Sequence, residues 1–257
     1  MACLICGCKN AQEEVHKYFD PDKYEAYMGI KDVWRVWWKC GNCGHYKQTR
    51  NYPLADLEEI YKHGYRDEKF RGKTIESAFE EVKNLSSSES ENIDRCGWFY
   101  HRTQRNTSVL DVGSGLGIFP HRLKKFGYEV ECVEENELSQ DFISKHLGLT
   151  CYNSIPDKQY WNTSLVHVLE HIENPDEFLK KIRGITKRHL FIEVPDAREF
   201  AYLDKSHDEF NSCHLWFFTL QNLITLIERN GFTVTEAKRM FYPQRKLSRI
   251  LVLASCN

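Results

Sequence analysis

From residue 107 onward, short apolar runs alternate with stretches in which apolar residues recur every three or four positions. The short runs predict strands near 108–112, 129–133, 149–152, 163–168, 188–194, 232–238 and 249–255. The helical spacing predicts helices near 117–126, 137–146, 175–183 and 219–229. Strand and helix alternating in this way is the pattern of an α/β fold with a mostly parallel sheet. Thr219 reads as the N-cap of the last helix, and Asn230-Gly231 stops it after Leu223, Ile224 and Ile227. Pro195 cannot donate inside a central strand, so the chain is expected to leave the sheet there. Residues 51–106 are polar and helical in pattern, with Leu54, Leu57, Ile60 and Tyr61 at helical spacing and a Ser-rich loop at 86–90. The chain thus divides into 1–50, 51–106 and 107–257, with the strand–helix alternation confined to the last segment.

Hydrophobic residues make up 41% of the 257, enough to bury the core of one α/β domain and a small added module. The formal net charge of −2 provides no global attraction to nucleic acid or to an anionic membrane. No apolar run approaches the roughly 20 residues that a membrane span needs. The first residues, Met-Ala-Cys-Leu-Ile-Cys-Gly-Cys, lack the pattern of a secretory signal, so a cytoplasmic location is expected. Ten cysteines without such a signal indicate a reducing compartment, where close pairs bind metal more often than they form disulfides. Cys3-x-x-Cys6 and Cys40-x-x-Cys43 form two knuckles, each followed by a glycine. Four thiolates suit tetrahedral Zn²⁺, and a Cys₄ site has no open position for water, so the predicted zinc is structural. The 33 residues between the knuckles call for a hairpin or short helix, and Cys8 and His45 stay open as replacement ligands.

Residues 109–117 read Val-Leu-Asp-Val-Gly-Ser-Gly-Leu-Gly. A strand delivers Asp111, a turn with Gly113, Gly115 and Gly117 follows, and a helix begins. Without Cβ atoms, such a turn lets the backbone approach a nucleotide-like ligand. A dinucleotide fingerprint needs Gly or Ala at 118, where this chain has Ile.

Asp-x-Gly-x-Gly-x-Gly instead resembles motif I of the class I S-adenosylmethionine (SAM) dependent methyltransferases. The resemblance implies a doubly wound, seven-stranded, mostly parallel Rossmann-like sheet whose last strand is antiparallel. It implies SAM as cofactor, with Asp111, Gly113, Ser114, Gly115 and Gly117 at the cofactor turn. Aligned on the family's second strand, Glu134 holds the ribose hydroxyls, with Glu135 as the fallback. Asn153 falls where the adenine end is expected. Residues 163–175, which contain His-Val-Leu-Glu-His, resemble the stretch after the fourth strand of many small-molecule methyltransferases, with Trp161 in place of the usual Asp. This puts His167 beside the cofactor and His171 on the following turn.

Cys213-His214-Leu-Trp-Phe-Phe-Thr219 is similar to the Glu-His-x-x-x-Phe-Ser element of zinc-domain sugar-nucleotide C-methyltransferases, with Cys213 in place of the Glu. There the His is a candidate general base over the acceptor. The two knuckles, followed by Tyr52 to Tyr65, look like the preface of bacterial sugar-nucleotide and glycan-pathway methyltransferases. The expected function is methyl transfer from SAM to a small-molecule acceptor, a sugar nucleotide or glycan precursor. His214 is the first candidate base, ahead of His167 and His171. Oxygen, nitrogen and carbon acceptors all stay open, as does the oligomeric state. One alternative is an RNA or protein methyltransferase with a basic rim built from Arg102, Arg105, Lys238, Arg239, Arg245, Lys246 and Arg249. Another is a non-catalytic SAM-binding subunit.

Overall fold

The chain forms two sheets, and a strand of only two residues ties the later part of the chain to the earlier sheet. The computed structural model describes residues 2–9, 12–53, 55–59, 61–62 and 68–256. Of the positions singled out above, Leu54, Ile60, Tyr65 and the Leu57 side chain lie outside the described residues. In chain order, β1 (Gln12–Tyr18), α1 (Lys23–Tyr27), β2 (Arg35–Cys40) and β3 (Tyr46–Arg50) come first. The helices α2 (Ala55–Glu59), α3 (Glu68–Arg71), α4 (Ile75–Lys83) and α5 (Glu91–Tyr100) follow. Then come β4 (Ser108–Val112), α6 (Ile118–Lys125), β5 (Glu129–Val133), α7 (Glu137–Lys145), β6 (Thr150–Tyr152), β7 (Tyr160–Val166) and α8 (Pro175–Ile185). The chain ends with β8 (Thr186–Pro195), β9 (Trp216–Phe217), α9 (Leu220–Arg229), β10 (Thr233–Tyr242) and β11 (Leu247–Ser255).

The larger sheet has seven strands in the order β10-β11-β8-β7-β4-β5-β6. The pairs from β8 to β6 are parallel, and β11 runs antiparallel to both β8 and β10. This is the Rossmann-like methyltransferase sheet, with its last strand reversed. Its central strands are buried on both faces, so they read as apolar runs with little alternation. Leu190 and Ile192 of β8 pack on the side of α8 and α9, whereas Phe191 packs with Phe99 and Phe119 on the side of α5 and α6. The expected caps hold. Thr219 accepts from the Asn222 amide at 3.2 Å, and Gly231, at φ +85°, follows the last turn of α9. β8 ends at Pro195.

The strand expected at 163–168 runs from Tyr160 to Val166. It stops there because His167 turns to φ +55°, although its amide still bonds to the Glu193 carbonyl at 2.9 Å. The smaller sheet is β1-β2-β3-β9, antiparallel throughout. Tyr46 of β3 pairs with Phe217 of β9 and Lys47 with Trp216.

Candidate active site

β4 lies beside β7, the central strand of the large sheet, and the motif I turn sits at its carboxyl end, where open α/β sheets bind ligands. Gly113 and Gly117 have φ of +72° and +74°. A Cβ on Gly113 would lie 2.6 Å from Val168 Cγ2, and one on Gly117 would lie 2.6 Å from Leu147 Cδ1. Both conformation and space therefore require glycine. Asp111 is buried under the turn and accepts from Ser164 Oγ at 2.6 Å. Burial raises its carboxyl to about 6, against the lowering effect of the Ser164 and Ser114 hydrogen bonds. Ser114 Oγ closes the turn by donating to the Asp111 carbonyl at 2.9 Å.

Glu134, just past β5, accepts from the Gly115 amide at 2.6 Å and from the Asn136 amide at 2.9 Å. Its carboxylate is thus pinned across the mouth of the turn. Asp111, Gly113, Ser114, Gly115, Glu134, Glu135, His167, His171 and His214 all line one cavity of about 820 Å³. Gly117 sits behind the turn as the cap of α6. Asn153 is exposed and is not part of the cavity wall.

His167 sits among three carboxylates, with the Arg95 guanidinium 3.4 Å from its Nε2. Its Nδ1 lies 3.1 Å from Glu170 Oε1, and its Nε2 lies 3.3 Å from Glu193 Oε1 and 3.7 Å from Glu91 Oε2. Burial disfavours its charge, but hydrogen bonds from Glu170, Glu193 and Glu91 outweigh burial and raise its pKa well above the ordinary imidazole value. Arg95 pairs with Glu193 and Glu91. Arg249 bonds Glu91 at 3.1 Å, Glu199 at 2.9 Å and Glu209 at 2.8 Å. Five carboxylates, Glu91, Glu170, Glu193, Glu199 and Glu209, thus share Arg95, Arg249 and His167, and burial raises Glu199 to about 8. The apolar periodicity of the chain does not disclose this network. Its signal was a charge interrupting an apolar strand, Glu193 within Phe-Ile-Glu-Val and Arg249 within Ser-Arg-Ile-Leu-Val.

His171 and His214 stand against each other, with ring centroids 4.8 Å apart. His171 lies on a 3₁₀ turn, Leu169–His171, and its Nδ1 is 2.9 Å from the Cys213 carbonyl. The Tyr61 hydroxyl donates to the same carbonyl at 3.0 Å and sits 2.7 Å from His171 Nδ1. His214 Nδ1 lies 2.6 Å from the Glu209 carbonyl. A carbonyl can only accept, so Nδ1–H is the tautomer this network assigns to both rings. Burial, helped by the nearby His214, lowers His171 to about 4, so its ring is neutral near pH 7. The His171 ring thus offers an Nε2 lone pair. Beside them, Glu170 Oε2 is buried without a hydrogen-bond partner.

The four cysteines of the knuckles form one cluster. Cys3 Sγ is 3.5 Å from Cys43 Sγ, and Cys6 Sγ is 3.7 Å from Cys40 Sγ. Tetrahedral zinc with Zn–S of about 2.3 Å separates its sulfurs by about 3.8 Å. The donor set and spacing therefore fit that ion. Cys8 and His45 stand outside the cluster. The Cys8 carbonyl accepts from the Cys3 amide, and the His45 ring stacks on Trp216 at 5.3 Å.

Much of the basic rim is paired. Arg249 is buried, Arg102 bonds Glu236 at 2.5 Å, Arg239 bonds Asp196 at 2.8 Å and Arg245 bonds Glu91 at 2.6 Å.

The 1,6-didemethyltoxoflavin-N1-methyltransferase of Burkholderia thailandensis, solved with 1,6-didemethyltoxoflavin and S-adenosylhomocysteine, is similar in structure. It is 14% identical with a TM-score of 0.58, over 83% of this chain and 96% of that one. Magnesium protoporphyrin IX methyltransferase of Synechocystis PCC 6803, with bound SAM, is 14% identical with a TM-score of 0.56, over 80% and 99%. The [4+2]-cyclase SpnF is 12% identical with a TM-score of 0.55, over 68% and 84%. At these identities the likeness is one of fold. No curated protein matches the sequence. The methyltransferase-domain family model matches residues 79–237, more than half of the chain and all of the cofactor turn, so the chain belongs to the methyltransferase-domain family.

Proposed function

We propose that the protein transfers the methyl group of SAM to a small-molecule acceptor, with a sugar nucleotide or glycan precursor favoured. The observation that carries this reading is that the motif I turn, Glu134 and the His171–His214 pair all open into one cavity of about 820 Å³. That volume is in the range of small-ligand pockets. SAM lies over Gly113 to Gly115, with its ribose on Glu134. Asp111 orients the turn from below, Gly117 gives the turn its close packing, and Asn153 stands nearest the adenine end in sequence. The sulfonium needs no activation. The enzyme aligns acceptor, methyl and sulfur, and removes the acceptor proton where there is one. His214 takes that proton, with the neutral His171 packed against it. His167, already a double donor to carboxylates, has no lone pair to offer and holds the wall instead.

Cys3, Cys6, Cys40 and Cys43 hold a structural zinc in the 1–50 module, 51–106 caps the pocket, and 107–257 is the catalytic domain. The carboxylate partners of Arg102, Arg239, Arg245 and Arg249 favour a small acceptor over RNA. Among the described residues no helix is long and apolar enough to cross a membrane, and a cytoplasmic site of action suits ten cysteines with no disulfide between them.

The test is methyl transfer from labelled SAM to fractionated extract, with calorimetry for S-adenosylhomocysteine. Label in the sugar-nucleotide fraction supports the full reading. Label only in RNA or protein overturns the acceptor class. Absence of S-adenosylhomocysteine binding overturns the cofactor.

A further inference from the structure

Three groups of metal-competent side chains occur among the described residues. The Cys₄ cluster is already accounted for. The second, Glu91–His167–Glu193, is neutralised by Arg95 and Arg249, so no cation is needed there. The third, Glu170–His171–His214, is different. One donor atom from each residue lies within 4.8 Å of the others; His171 and His214 line the acceptor cavity, and Glu170 is buried behind them. Glu170 is fully buried, yet its Oε2 has no partner. A buried carboxylate oxygen without a donor is costly and calls for an explanation.

The surroundings of these three residues match what metal ligands require. A ligating imidazole commonly donates its other N–H to a carbonyl, which fixes the tautomer and aims the free nitrogen. His171 Nδ1 on the Cys213 carbonyl and His214 Nδ1 on the Glu209 carbonyl have this arrangement. A ligating carboxylate is itself held by a hydrogen bond. Glu170 Oε1 has His167 for that purpose, leaving Oε2 over.

We propose that Glu170 Oε2 and the Nε2 atoms of His171 and His214 bind a divalent first-row cation such as Mn²⁺ or Fe²⁺. Two imidazoles and one carboxylate on one face form a ligand set suited to these ions, with the remaining positions open. Those positions face the cavity and would take an oxygen of the acceptor. The binding site stands on its own geometry; its use in catalysis rests on the methyl-transfer reading. Cation and proton compete for the same His214 lone pair. With the cation bound, His214 would be a ligand and not the base; the cation would polarise an acceptor hydroxyl, whose proton would pass to water as the methyl moves from sulfur to that oxygen and leaves the neutral thioether.

The test uses the full chain and Mn²⁺, which avoids the thiolate site because Cys ligands select softer ions. Electron paramagnetic resonance should show loss of the free-ion signal at about one Mn²⁺ per chain. Glu170→Gln and His214→Ala should each weaken binding at least tenfold. Thermal melts identify any variant that fails to fold; if Glu170→Gln does, His214→Ala decides. No Mn²⁺ uptake, or uptake unchanged in a folded variant, overturns the site. S-adenosylhomocysteine binding is measured on the same samples. A chain that binds Mn²⁺ but not S-adenosylhomocysteine keeps the metal site and loses the methyl-transfer reading. The converse loses only the metal.

Discussion

His167 and His214 share a cavity but have opposite chemistry. His167 is a cation bonded to Glu170 and Glu193, with Glu91 at 3.7 Å. Its replacement by Ala leaves the buried Glu170 carboxylate without its imidazole partner and should destabilise the fold by about 3–5 kcal/mol in urea unfolding. His214→Ala loses one hydrogen bond to a carbonyl and should cost less, about 1–2 kcal/mol, and leave S-adenosylhomocysteine affinity intact, while turnover falls by roughly 10²–10⁴-fold. Equal unfolding curves for the two variants would refute this division. Asp111 provides a pH test. Its carboxyl is raised by burial from 3.8 to about 6 in the folded chain. Its favourable contribution is therefore full below pH 3.8 and is lost as pH rises through about 6. Asp111→Asn keeps an acceptor for Ser164 and removes that loss. The variant should gain on the wild type between pH 4 and pH 7 by about 3 kcal/mol. A difference that stays flat across those pH values would contradict the burial argument. The glycine turn and Glu134 were legible in the sequence because their demands are local, a sign of φ and a carboxylate at a strand end. The cage of His167 was not. Its partners come from α5 and β8, and only the folded sheet brings Glu91 and Glu193 together.

Strands buried on both faces announced themselves as apolar runs, and all seven of the large sheet fell close to their expected positions. β9 did not. Two residues carry no period that would mark a strand. Trp216 and Phe217 are buried and pair with β3. The adjoining residues add to this junction. The Gln48 amide bonds the Leu215 carbonyl at 2.9 Å, and Asn222 Nδ2 bonds the Cys43 carbonyl at 3.0 Å. The thiol cluster is thus tied to the start of α9. Cys40→Ser should release about one zinc per chain by metal analysis. It should also lower the melting temperature of the whole molecule in one transition. A chain purified without zinc, or a variant with an unchanged melt, would contradict the structural role.

At the scale of the molecule, the parts separate less cleanly than their composition suggests. The segment from 1 to 50 has its own cysteines and its own strands, yet its sheet is completed by residues 216–217. Arg229 of α9 reaches back to the Leu4 and Ile5 carbonyls at 2.8 and 3.1 Å. His214 precedes β9 by a single residue, Leu215, so the wall of the acceptor cavity and the fourth strand of the small sheet are one piece of backbone. This has a bearing on descent and on protein engineering. Recombination that swaps the N-terminal fifty residues alone would mismatch a strand and displace a histidine together. A working chimaera has to exchange 1–50 with 197–219 as a unit, and acceptor preference should be inherited with that pair of segments rather than with the cofactor turn.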